Sequence, residues 1–148
     1  PTLEADDALG IYATRNPGAI IVSPDKDLRQ IPGLLYDYKE TVTITPEEGA
    51  KWHLIQTLAG DPTDGYAGCP SYGIRRAAAL LDEKGYSWKT VVEAFESKDL
   101  TEEDALRNAR LARILTKDDY DDETGVKLWT PDASYRVDDG ATVQAEAA

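Results

Sequence analysis

Seven carboxylates fall in three spaced clusters along this chain: Glu4, Asp6 and Asp7; Asp25 and Asp27; Asp61 and Asp64. Any fold for this sequence has to place that charge. Each cluster lies at a helix start or just past a strand end, the places from which side chains can converge at one edge of a sheet. If the three close on one point they form an oxygen-only pocket, which hard divalent cations such as Mg²⁺ neutralise. Zinc does not suit it, because His53 is the only histidine and Cys69 the only cysteine.

The elements around the clusters read as α/β. Glu4 to about Thr14 is a helix with acidic residues in its first turn, where the macrodipole favours them, and Pro17-Gly18 stops it. Ala19-Ile20-Ile21-Val22-Ser23 is an apolar run of the kind found in a buried parallel strand, so Asp25 and Asp27 follow its carboxyl end. Leu34 to Asp37 and Thr41 to Ile44 predict two more short strands, a hairpin at the sheet edge. Thr45-Pro46-Glu47-Glu48 starts a helix by capping box, running to about Leu58 and ending at Gly60. Further helices are predicted over Ile74 to Lys84, from Ser87 to about Lys98, and from the Thr101-Glu102-Glu103-Asp104 start to Leu115. Lys117 to Gly125 reads as a charged loop, Val126 to Trp129 as a terminal strand, and the residues from Asp132 as a disordered acidic tail.

At 148 residues and 41% hydrophobic content the chain suits one domain with a real core. It has no stretch near the ~20 apolar residues of a membrane span, and its start has neither a basic nor an apolar targeting region. One cysteine permits no internal disulfide, which fits a reducing cytoplasm. The chain has no methionine and opens on Pro1, so the sequence reads as a piece of something longer. A net charge of −12 argues against a nucleic-acid partner, but the charge is concentrated in the clusters and in the segment after residue 116, and the remaining body is near neutral.

The loop after Asp61-Pro62-Thr63-Asp64 supplies the second constraint. Gly68-Cys69-Pro70-Ser71-Tyr72-Gly73 joins two helices, and Gly68 and Gly73 permit positive φ and close backbone approach. Its amides can then face a phosphate, with Arg75 and Arg76 within reach of the same strand. Each feature also has a local explanation. Glu4 to Asp7 alone is an acidic first turn, Asp25-Lys26-Asp27 a polar turn, Asp61 to Asp64 a loop with a cap, and the glycine loop a tight helical connection. Read together, carboxylates and hairpin point to metal-dependent cutting of nucleic acid, because two cations ~3.5–4 Å apart need several carboxylates to offset their charge.

These residues resemble the 5′-to-3′ exonuclease and flap endonuclease family, above all its bacteriophage members. Glu4-Ala5-Asp6-Asp7 is similar to a Glu-Ala-Asp-Asp motif, Ser23-Pro24-Asp25-Lys26-Asp27-Leu28 to Ser-x-Asp-Lys-Asp-Leu, and Gly60 to Asp64 to a third metal-binding motif. The glycine loop with Arg75 and Ala77 resembles the helix-three-turn-helix, and Lys127-Leu128-Trp129-Thr130-Pro131 the phage ending. The resemblance implies a partial PIN-like core with short parallel strands over 1–60, a helix-three-turn-helix DNA-binding region over 61–116, a terminal segment over 117–131 and the tail over 132–148.

It implies that Glu4, Asp6, Asp7, Asp25, Asp27, Asp61 and Asp64 are catalytic metal ligands for two ions, Mg²⁺ or Mn²⁺. It assigns DNA binding to Gly68, Pro70, Ser71, Gly73, Arg75 and Arg76, with Lys26 a candidate phosphate contact and K⁺ a candidate at the hairpin. The implied partners are DNA duplexes with a 5′ end or flap, and RNA–DNA hybrids, but no membrane. Ser71 stands where the family usually has glycine. The family's first core strand, a further aspartate and a basic arch are expected upstream of Pro1, so this chain alone is expected to bind duplex weakly and to cleave slowly or not at all. The rival reading is a DNA-binding hairpin module without catalysis; a third is an acidic cation-binding scaffold.

Overall fold

Thr45 and Glu48 satisfy each other's backbone amides, both at 3.1 Å, and this reciprocal cap starts the longest helix among the described residues. A computed structural model describes residues 3–131; the expected tail over 132–148 lies outside the described residues. In chain order the elements are α1 (Ala5–Arg15), β1 (Ile20–Val22), β2 (Gly33–Tyr36), β3 (Thr41–Ile44), α2 (Pro46–Ala59), α3 (Ile74–Lys84), α4 (Trp88–Glu96), α5 (Glu102–Ala112), β4 (Tyr120–Asp121) and β5 (Gly125–Val126). Among the described residues three short 3-10 turns occur, at Lys26–Gln30, Pro62–Asp64 and Lys117–Asp119. No helix among the described residues is long and apolar enough to cross a membrane.

The chain divides into two compact units. The first holds the described residues up to Trp52 together with Arg113–Leu128; the second holds His53–Ala112 and the described residues from Trp129. In the first unit, β1 pairs in parallel with β2, and β2 pairs antiparallel with β3, giving the order β1-β2-β3. Ile21, Leu35 and Ile44, one from each strand, bury the same core as Leu28, Ile31 and Ile114. Full burial of such side chains contributes roughly 1.5–3 kcal/mol each.

The β2–β3 turn is fixed by Asp37, whose Oδ1 accepts the Lys39 and Glu40 amides at 2.9 Å while Oδ2 meets Arg29 at 3.1 Å. Those amide bonds, Glu40 first, and then Arg29 hold its carboxyl below the usual carboxylate range.

The second unit is helical. From His53 to Leu58 every residue of α2 is buried, so this part of the helix is enclosed rather than amphipathic. His53 Nε2 lies 2.8 Å from the Ala109 carbonyl, and its ring meets Trp129 edge-on at 4.8 Å. Ser87 caps α4, and Thr101 with Asp104 forms the capping box of α5. Trp88 and Phe95, expected in the core from their helical spacing, are 3% and 0% exposed.

Four expectations are corrected. β1 is not buried on both faces: Ile20 and Val22 are 52% and 53% exposed, and only Ile21 faces the core. Helix α5 stops at Ala112 rather than Leu115, because the amides of Ile114 and Leu115 bond to Gln30 and Asp7 side chains. The segment from Lys117 is not a plain loop, since Thr116 and Asp119 form a capping box and β4 pairs with β5. The terminal strand is accordingly Gly125–Val126 and does not extend to Trp129.

Candidate functional site

In the first unit the carboxylates sit on two elements. Glu4 is the exposed N-cap residue of α1, and Asp6 and Asp7 occupy its first turn, half-buried. No side chain caps that turn, so the carboxylates themselves offset the helix's positive end. Asp7 Oδ1 accepts the Leu115 amide at 3.0 Å. Asp25 caps the Lys26–Gln30 turn by accepting the Asp27 amide at 2.9 Å, and its own amide is fixed by Ser23 Oγ at 3.1 Å. This Ser-x-Asp-x-Asp arrangement presents Asp25, exposed, and Asp27, half-buried, on one turn just past β1. Lys26 between them is exposed.

In the second unit Asp61 and Asp64 flank a single 3-10 turn. Asp61 Oδ1 accepts the Thr63 amide at 3.0 Å, Pro62 sets the first turn position, and the Asp64 amide returns to the Asp61 carbonyl at 3.0 Å. The turn brings carboxylate oxygens of Asp61 and Asp64 within 4.8 Å of each other, close enough to share one cation. A backbone bridge between Asp61 and Tyr66 then closes the turn and leads directly into the hairpin.

The hairpin is anchored by its glycine end. Gly68 has φ +71 and stands against the backbone of Leu58, Ala59 and Gly60, where a Cβ would collide. Its amide donates to Asn108 Oδ1 at 2.8 Å, and the Cys69 amide donates to the Leu58 carbonyl at 2.8 Å. These two amides are therefore taken within the protein and cannot face a phosphate, which corrects that expectation for Gly68. Gly73 is corrected too: its φ is −102 with extended ψ, so it does not use the left-handed region. The positive φ at this end belongs to Ser71, at +71. Gly73 has open space where a Cβ would stand, and it is the N-cap of α3, whose first amides have no partner within the helix and receive no bond from a capping side chain. Arg75 and Arg76 are exposed there, Arg76 bonding the Ser71 carbonyl at 3.1 Å and lying 4.8 Å over the Tyr72 ring. Pro70 is exposed and Cys69 buried, where burial pushes its thiol pKa up.

Asn108 is the supporting residue that sequence reasoning missed. Asparagine inside a helix is unfavourable without a partner. That misfit is the signal that could have identified it. Its Nδ2 bonds the Asp104 carbonyl at 2.9 Å, which aims Oδ1 at Gly68.

Known proteins share sequence with this chain. The chain is 30% identical to an exodeoxyribonuclease of Enterobacteria phage T3, over 88% of this chain and 56% of the phage protein. It is 29% identical to an exonuclease of Escherichia phage T7, over 88% of this chain and 57% of that protein. It is 33% identical to a 5′-3′ exonuclease of Mycobacterium tuberculosis, over 76% of this chain and 42% of the bacterial protein. The chain thus spans about half the length of the curated relatives it matches. Both phage alignments run over 171 positions, more than the 148 residues of this chain, so those proteins hold residues inside the matched span that this chain lacks. No protein-family model matches the chain.

Proposed function

Because the chain belongs to the 5′-to-3′ exonuclease family of its phage and bacterial relatives, we propose that it is part of a metal-dependent 5′ nuclease that hydrolyses DNA phosphodiester bonds at 5′ ends or flaps. The observation that carries this reading is the pairing of Asp61 and Asp64 at the mouth of a hairpin that ends on exposed Arg75 and Arg76. The donors fit the metal, since all seven candidate ligands are carboxylates and oxygen-only sets suit Mg²⁺ or Mn²⁺. Glu4, Asp6, Asp7, Asp25, Asp27, Asp61 and Asp64 would hold two such ions, some through water. Divalent ions held there would supply Lewis-acid activation of water and charge stabilisation for an in-line displacement at phosphorus.

The chain's own part is positioning. Asp25 and Asp61 each spend one oxygen on a backbone amide, which fixes the carboxylate before any cation arrives. The α3 amino end, with Ser71, Gly73, Arg75 and Arg76, would take the phosphates of one strand without reading its bases, and Pro70, Gly68 and Asn108 hold that end in shape. Lys26 is a further phosphate contact. K⁺ at the hairpin, RNA–DNA hybrids as second substrates, and action in the cytoplasm belong to the same proposal. So does low activity of this chain by itself.

Replacing Asp61 and Asp64 by Asn tests it. Calorimetric Mn²⁺ binding should fall and any Mg²⁺-dependent hydrolysis of a 5′-tailed duplex should vanish, while DNA affinity in EDTA stays unchanged. Hydrolysis and cation binding that both survive would overturn the assignment. Hydrolysis by the unaltered chain at the rate of its longer relatives would overturn the expectation of low activity.

A further inference from the structure

The carboxylates of the first unit sit on α1 and on the Lys26–Gln30 turn, two elements separated in sequence by β1. Three bonds link both to one short piece of chain after α5. The Ile114 amide donates to Gln30 Oε1 at 3.0 Å, the Leu115 amide to Asp7 Oδ1 at 3.0 Å, and the Lys117 amide to Thr14 Oγ1 at 2.8 Å. Gln30 ends the turn that carries Asp25 and Asp27 and is only 2% exposed; Asp7 and Thr14 belong to the helix that carries Glu4 and Asp6.

The fit is close along its length. At Gly10 of α1 a Cβ would strike the Leu115 carbonyl and stand 2.9 Å from Ile31 Cδ1 and 3.2 Å from Ile114 Cγ2. Ile114 itself is buried with Leu28 and Ile31, the residues that seat the Lys26–Gln30 turn. Farther on, Arg15 of α1 pairs with Asp122 at 3.1 Å and lies over Tyr120.

We propose that residues 114–117 form a splint that sets the spacing between the two carboxylate-bearing elements, with Gln30 and Thr14 as positioning residues for the metal ligands. The inference rests on the two-metal reading above. Metal ligands must be held within about 0.5 Å of their working geometry. A strand-linked helix and turn gain that precision when a third segment bonds to both. Asp7 is where the splint reaches the ligand set: one oxygen orients on Leu115, and the other remains for a cation. The arrangement also explains why α5 stops short, because the amides that would extend it are bonded to the splint's partners.

The test uses the whole chain with Gln30→Met, which keeps the volume and removes the acceptor, and Gln30→Glu, which restores it. Mn²⁺ affinity by calorimetry should fall about tenfold or more in Gln30→Met, the usual cost of losing a group that orients a ligand, and recover in Gln30→Glu. Hydrogen exchange in EDTA should speed up at the Ile114 amide in Gln30→Met and at Lys117 in Thr14→Val, which also covers the case in which the buried variant fails to fold. Faster exchange with unchanged Mn²⁺ affinity would show that the segment only covers the core, and would overturn the splint. An unaltered chain that binds no divalent cation would overturn the metal reading, and the splint with it. An unaltered chain that binds Mn²⁺ as tightly as Gln30→Met would sink the splint alone.

Discussion

Gly68→Ala tests how tightly the hairpin is closed on the end of α2. At φ +71 a residue with a Cβ costs about 1–2 kcal/mol more than glycine. The added carbon would also stand 2.6 Å from the Leu58 carbonyl oxygen and 2.7 Å from Ala59 C, and it would overlap Gly60 N. All three are backbone atoms, so no flexible side chain can swing aside, and the hairpin has to part from α2. Parting strains the 2.8 Å bonds from Cys69 to Leu58 and from Gly68 to Asn108. A buried donor left without a partner costs about 1–3 kcal/mol. The expected loss is therefore about 2–5 kcal/mol, a large share of the ~5–15 kcal/mol typical of a folded domain.

Gly65→Ala is the matched control. Its φ is +83 but nothing lies within 4 Å of a Cβ, so only the conformational cost of about 1–2 kcal/mol applies. Urea unfolding followed by tryptophan fluorescence reads both variants, with Trp88 and Trp129 reporting on the second unit. Equal losses in the two variants would refute the close approach, and an undiminished Gly68→Ala would refute the hairpin geometry altogether.

Ser71→Gly should leave stability unchanged or raise it by up to about 1 kcal/mol, because relief of the left-handed strain is partly offset by glycine's larger unfolded-state entropy; a clear drop in urea midpoint would count against the +71 φ. Gly73→Ala should cost only about 0.5–1 kcal/mol, the penalty for alanine at a helix N-cap, since its Cβ meets open space, yet weaken duplex binding in a filter or anisotropy assay. Cys69 is buried and its thiol pKa is raised by burial, so the native protein should resist a thiol reagent at neutral pH and react at the rate of unfolding; prompt labelling would contradict the packing. Burial, then the hydrogen bond to Asp82 and its charge, push Tyr86 up to about 12. The folded state therefore favours the neutral phenol. That contribution is fully present below pH 10 and lost as pH rises from there through about 12, and Tyr86→Phe should flatten that part of the stability profile.

Local chemistry made most helix starts legible. Thr45 with Glu48, Ser87 and Thr101 with Asp104 all bond within three residues, so propensity alone located them. Gly60 and Gly85 ended their helices as expected for the same reason. Features decided by distant partners did not show in the sequence. Apolar content made β1 look buried on both faces, but Ile20 and Val22 are exposed on the face opposite the core residue Ile21. The end of α5 was hidden because Gln30 and Asp7, both far away in sequence, take the amides that helical periodicity would have used. At the candidate site, residue types named the carboxylates and the hairpin, but only geometry showed that Gly68's amide is occupied and that Ser71 carries the positive φ.

The return of Arg113–Leu128 to the first unit has a consequence for how the protein is made. Asp7 and Leu115 have a sequence separation of 108 residues, so during translation the earliest carboxylates must wait for almost the whole described chain before their brace exists. The helical stretch His53–Ala112 is contiguous and fully synthesised before Arg113–Leu128 emerges, although its packing is completed only when Trp129 follows. Ribosome-bound chains should therefore acquire cation affinity abruptly and late, rather than in proportion to the carboxylates already synthesised.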